Sequence, residues 1–251
     1  MGRRIISDKS KRIWELDFIR GIAVLFMIVH HLYYTLSLYF NINIFSGIPA
    51  IKDVFLAIVE NGGAVFILIS GICCCYSKSN LKRGLNLFFI AMLVTYATLI
   101  FQEYIEKGSS ALITFGVLHC LAVLMIIGHF LLKMPKIKFV TNFIYLFLSV
   151  GLIILGYVLR HYNYNFPVLY GYPIYKIMPS ADYFPLLPFL GWFILGIFIG
   201  KTFYLKGNRV FGKKHNGNFF LIRGISFIGK HSLIVYLAHQ PLIYFACTLL
   251  V

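Results

Sequence analysis

Long apolar runs, broken by short polar clusters, divide almost the whole chain. The pattern marks about seven segments: 16–39, 53–77, 84–105, 111–132, 139–160, 183–204 and 225–250. Each is long enough to cross a hydrocarbon layer of about 30 Å as a helix. Backbone N–H and C=O groups find no water there, so spanning segments of this kind must be helical. The expected fold is all-α, a polytopic transmembrane helix bundle of about seven spans.

The first segment breaks the apolar rule. Its core, LDFIRGIAVLFMIVHHLYYTLSL, carries Asp17, Arg20, His30 and His31. Ionisable groups at the centre of a span cost about 2–3.5 kcal/mol each, so they tend to be paired or functional. Arg20 and His31 return to within about 20° of one helix face, about 16 Å apart along the axis. Asp17 lies one turn before Arg20, and His30 points about 100° away. A polar stripe is therefore expected to line a site inside the membrane.

Other segments add polar groups at comparable depth. At 1.5 Å per residue, His31 lies about 21 Å from the inner edge, His119 about 10 Å from the outer edge, and His239 about 16 Å in. Three histidines from three spans are expected in one layer, together with Gln240. Pro241 removes a helix hydrogen bond and is expected to kink the last span beside His239. Gly62-Gly63 and Ser70-Gly71 are small residues that favour close helix approach. No Glu-x-x-His or His-x-x-x-His spacing is present, so no metal site is expected.

Charge settles the expected orientation. The net charge is +15, yet only 12% of residues are charged and 60% are hydrophobic. The basic residues gather in alternate connections: an N-terminal arm with Arg3, Arg4, Lys9, Lys11 and Arg12, then Lys78–Arg83, Lys133–Lys138, and Lys201–Arg223. The first connection holds only Lys52. This alternation places the N-terminus in the cytoplasm and the C-terminus outside. It also accounts for the positive charge without nucleic acid. Residues 1–12 form a basic cytoplasmic arm without a cleavable signal, and 13–251 form a single transmembrane domain. The five cysteines, three of them consecutive at Cys73–Cys75, offer no disulfide framework. The aromatic connection 162–183 reads either as an interfacial cover or as a lid or sugar-facing platform. The basic sixth connection suits topology or an anionic cytosolic ligand.

Five stretches, taken in order, resemble a known family. They are RIWELDFIRGIAVLFMIVHHLYYTL, GGAVFILISGI with NLKRGLNLF, FGVLHCLAV, PLLPFLGWFILGIFIGK and ISFIGKHSLIVYLAHQPLI. Together they resemble the bacterial proteins of the heparan-α-glucosaminide N-acetyltransferase catalytic-domain family. The opening is also similar to the acyltransferase family 3 membrane enzymes, in which Arg or Lys is followed by ten residues and then His. Arg20 and His31 stand in those places.

The resemblance implies a multi-pass acyltransferase of the plasma membrane. Acetyl-CoA would serve as donor from the cytoplasm, and an envelope glycan amine or hydroxyl would accept on the outer side. His31 would act as general base or be acetylated itself. Arg20 would hold the donor's phosphates or the inner half of the site, with Asp17 as its counter-charge. His30, His119, His239, Gln240 and Ser70 would contact the substrate. The lipid bilayer is the expected surround, and a homo-oligomer is compatible with the chain. Two other readings of the residues stay open: a small-solute transporter, or an accessory seven-span subunit.

Overall fold

A computed structural model describes residues 13–107, 111–133, 138–161, 181–204 and 220–250. All regular structure in them is helical. The helices are α1 (Trp14–Tyr39), α2 (Pro49–Cys74), α3 (Asn80–Ile100), α4 (Val117–Lys133), α5 (Lys138–His161), α6 (Leu186–Ile199), α7 (Phe220–Lys230) and α8 (Ser232–Leu250). Helices α3 and α6 each continue into a π-helical turn, Phe101–Ile105 and Gly200–Tyr204. Among the described residues six helical stretches are long and apolar enough to cross a membrane, and α4 is a shorter apolar helix. Local chemistry sets some boundaries. Ser79 caps α3 by accepting the Lys82 amide at 3.4 Å, and the Asn80 side chain closes the end of α2 on the Cys74 carbonyl at 2.8 Å.

Two expected segments differ in the structure. The fourth, expected over 111–132, is helical only from Val117. Before it, 111–116 is non-helical backbone whose polar groups are met by side chains and a neighbouring strand of chain. Leu112 N donates to Gln102 Oε1 at 3.0 Å, Ile113 N to Thr98 Oγ1 at 3.1 Å, and Ala181 N to the Leu112 carbonyl at 2.9 Å. Irregular backbone is tolerated at membrane depth when protein satisfies it in this way. The last segment, expected as one span over 225–250, is two helices that meet at His231. Helical bonds still bracket the junction, from His231 N to the Phe227 carbonyl and from Val235 N to the His231 carbonyl, each 3.1 Å. Helix α8 runs on through Pro241, and the junction at His231 lies before it.

The chain divides into two compact units. The first comprises the described residues of Met1–Phe66 and Arg209–Val251, and the second those of Ile67–Asn208. In the first, α1 packs on α7 and α8. Gly21 lies against Ile225, His31 against His239, Thr35 against Gln240, and Tyr39 against Tyr244. Residue numbers rise together along both partners, so α1 and the α7–α8 pair run in the same direction. In the second unit, α3 packs on α4 and α5 on α6. The C-terminal part of α2 crosses α6 where Gly71 meets the Phe193 carbonyl and Gly196 meets the Leu68 carbonyl. Gly71 is thus the close-packing residue expected from sequence, whereas a Cβ on Gly62 would meet nothing within 4 Å.

The approach of α7 to α1 is set by backbone. A Cβ on Gly229 would overlap the carbonyl oxygen of Asp17, and one on Gly21 would overlap that of Ile225. Backbone cannot swing aside as a flexible side chain does, so the helices must separate. Gly229→Ala is therefore expected to destabilise the protein by about 2–3 kcal/mol. Gly224 lies in the same helix with nothing within 4 Å of its would-be Cβ. Gly224→Ala should leave stability unchanged or raise it. Thermal unfolding in detergent measures both, and equal melting temperatures for the two variants would refute the close-contact account.

Candidate active site

The polar stripe of α1 starts at its N-terminal end. Arg20 Nη1 sits 3.1 Å from Asp17 Oδ1, and the two side chains are only 14% and 10% exposed. One turn of helix separates them, so helix geometry itself brings the two side chains within reach. Each neutralises the charge that the other would otherwise expose to a low-dielectric surround. Glu15, a turn away on the same helix, is also buried, at 2% exposure. It directly precedes the apolar run, so hydropathy does not mark it as buried.

Further along α1, three imidazoles are brought together. The His31 ring centroid lies 4.8 Å from that of His239 on α8 and 5.5 Å from that of His30. His31 Nδ1 lies 2.9 Å from the Met27 carbonyl. A carbonyl only accepts, so Nδ1 carries the proton of the neutral ring. Nε2 then presents its lone pair. His239 is held in the same way, with Nδ1 on the Tyr236 carbonyl. Backbone carbonyls thus set the tautomer and fix the ring orientation of both residues.

Gln240 adds a polar handle beside this cluster. Its Nε2 donates to Thr35 Oγ1 at 3.0 Å. Its Oε1 is buried and has no hydrogen-bond partner among the described residues. A buried acceptor left unmet costs about 1–3 kcal/mol, so it is suited to receive a donor from a ligand. Thr35 is completely buried and was missed in the sequence. Its position four residues after His31, on the same helix face, was the available signal.

A cavity of about 330 Å³ adjoins the cluster at His30. Tyr33, Tyr34 and Ser37 of α1 line it, with Lys52 and Leu56 of α2. Among the described residues no group of three or more His, Cys, Asp or Glu side chains could hold a metal ion.

His119 and Ser70 belong to the second unit. Both ring nitrogens of His119 make local contacts. Gly116 N donates to Nδ1 at 3.3 Å, so Nε2 bears the proton and faces Thr95 Oγ1 at 3.2 Å. Thr95 in turn donates to the Ile113 carbonyl at 2.7 Å. These bonds help to hold the irregular 111–116 segment. Ser70 is buried in α2 at 6% exposure, beside the Gly71 crossing. Much of the aromatic connection 162–183 and of the basic sixth connection lies outside the described residues.

These features define a class: a polytopic helical membrane protein with histidines packed between its first and last helices. The chain belongs to the family described as heparan-alpha-glucosaminide N-acetyltransferase, catalytic, which it matches over residues 12–241. Nothing among curated proteins or solved structures matches it. Membership makes it a multi-pass membrane protein with acetyltransferase activity.

Proposed function

We propose that the protein moves an acetyl group from cytoplasmic acetyl-CoA to a sugar amine or hydroxyl of an envelope glycan on the outer side of the plasma membrane. The observation that carries this reading is the His31 ring, fixed through Nδ1 and flanked by His30 and His239. Residues 13–251 would act as one transmembrane acyltransferase domain. The acceptor's nucleophilic atom attacks the thioester carbonyl while His31 Nε2 takes its proton. The carbon–sulfur bond breaks, and the departing coenzyme thiolate recovers that proton as a thiol. Acetylation of His31 itself, followed by transfer to the acceptor, gives the same balance in two steps. Arg20, held by Asp17, offers positive charge toward the donor's phosphates. His239, Gln240 and His30 orient the acceptor.

The proposed orientation keeps the N-terminus in the cytoplasm and the C-terminus outside. Parallel packing of α1 with α7–α8 supports it, since chain ends on opposite sides require an odd number of crossings. Counting α4 as a crossing makes seven.

The test uses sealed proteoliposomes, labelled acetyl-CoA and a panel of amino sugars and oligosaccharides. Labelled product is expected when donor faces the basic side and acceptor faces the other. Product formed equally well with both substrates on one side would defeat the transmembrane reading. Donor-independent sugar flux with no product would defeat the enzyme reading.

A further inference from the structure

The cavity beside His30 contains a charge with no partner among the described residues. Lys52 is half-buried in its wall, and its side chain makes no ion pair or hydrogen bond among the described residues. The adjacent Asp53 is exposed and is not part of the lining. A cation partly withdrawn from water without a partner is costly, and an anionic ligand removes that cost. Lys52, in the first turn of α2, is also the only basic residue between the first two apolar runs of the sequence, on the side expected to face outward.

The remaining walls suit a sugar. The Tyr33 ring is backed by Phe45 at 5.2 Å and Phe55 at 6.0 Å, and those two rings lie 5.3 Å apart. A braced aromatic surface can stack on the C–H face of a pyranose. Tyr34 and Ser37 supply hydroxyls for its oxygens. About 330 Å³ is enough for one small ligand. His30 connects the cavity to the His31 ring.

We infer that this cavity is the acceptor subsite for a sugar bearing a phosphate or carboxylate group. Lys52 pairs with the anion, Tyr33 supports the ring, and the reacting group points past His30 toward His31. The inference rests on the transferase reading and names its acceptor class.

The experiment measures binding to the full chain in neutral detergent, without donor, by isothermal titration. The probes are glucosamine 6-phosphate against glucosamine, glucuronic acid against glucose, and inorganic phosphate alone. The anionic sugars are expected to bind about tenfold tighter than their neutral partners. Lys52→Gln should erase that preference and Lys52→Arg should keep it. Tyr33→Leu should weaken charged and neutral sugars alike. Inorganic phosphate should bind more weakly than either anionic sugar. Retained acetyl-CoA binding by Lys52→Gln shows that the variant is folded. An unchanged preference in that variant would overturn the inference. So would nanodiscs in which phosphatidylglycerol occupies the cavity and anionic sugars fail to displace it. Because donor is absent, binding without acetyl transfer would reject only the transferase reading. Acetyl transfer to neutral sugars without anionic preference would reject only the subsite.

Discussion

His31→Ala is expected to lower acetyl transfer by about a thousandfold while acetyl-CoA remains bound. The geometry gives the reason. Met27 fixes the protonated Nδ1, so Nε2 is the basic atom that the ring offers. Alanine removes that lone pair and leaves the Arg20–Asp17 pair untouched. Glutamine at the same position retains polarity without a base near neutral pH, so His31→Gln should be nearly as inactive. Steady-state transfer rates and equilibrium donor binding, measured on the same preparations, separate chemistry from folding. Full activity in a folded His31→Ala protein would remove His31 from the mechanism. Mass spectrometry of wild type quenched with donor alone distinguishes the two chemical routes. An adduct of one acetyl group on the His31 peptide marks the two-step path, and its absence during turnover marks direct transfer.

Asp17→Asn is expected to destabilise the protein by about 3 kcal/mol. The substitution keeps shape but removes the carboxylate charge 3.1 Å from a nearly buried guanidinium. Removing both charges is less harmful than removing one, because no uncompensated ion is left. The double variant Asp17→Asn/Arg20→Gln should therefore recover much of the lost thermal stability. It should still bind acetyl-CoA poorly, since Arg20 is proposed to meet the donor's phosphates. Unfolding midpoints equal for single and double variants would rule out the paired-charge account. Undiminished donor binding by Arg20→Gln would remove the proposed donor contact and leave the structural pair in place.

The all-helical, multi-span character followed from the apolar runs, because a bilayer leaves the backbone few alternatives. The local pairing of Asp17 with Arg20 was also readable, since residues three apart share a helix face. Depth arithmetic placed His31, His119 and His239 in one layer, but depth carries no information about neighbours. Packing of α1 on α8 is what puts His239 against His31 and Gln240 against Thr35. In the second unit, His119 bonds to the backbone and side chains that hold 111–116, a contact that depth could not foretell. Hydropathy could not reveal that segment, because it scores residues as apolar regardless of which groups meet their amides. Nor could it place the junction at His231 in a continuous hydrophobic run. Sequence alone determined that the chain is built of apolar helices and which polar groups lie along each run, because those depend on local periodicity and on the solvent, but not where the fourth helix starts or the last run divides. Which helices touch, and so which histidines meet, was decided only by tertiary structure, through long-range contacts such as the glycine-mediated approach of α7 to α1.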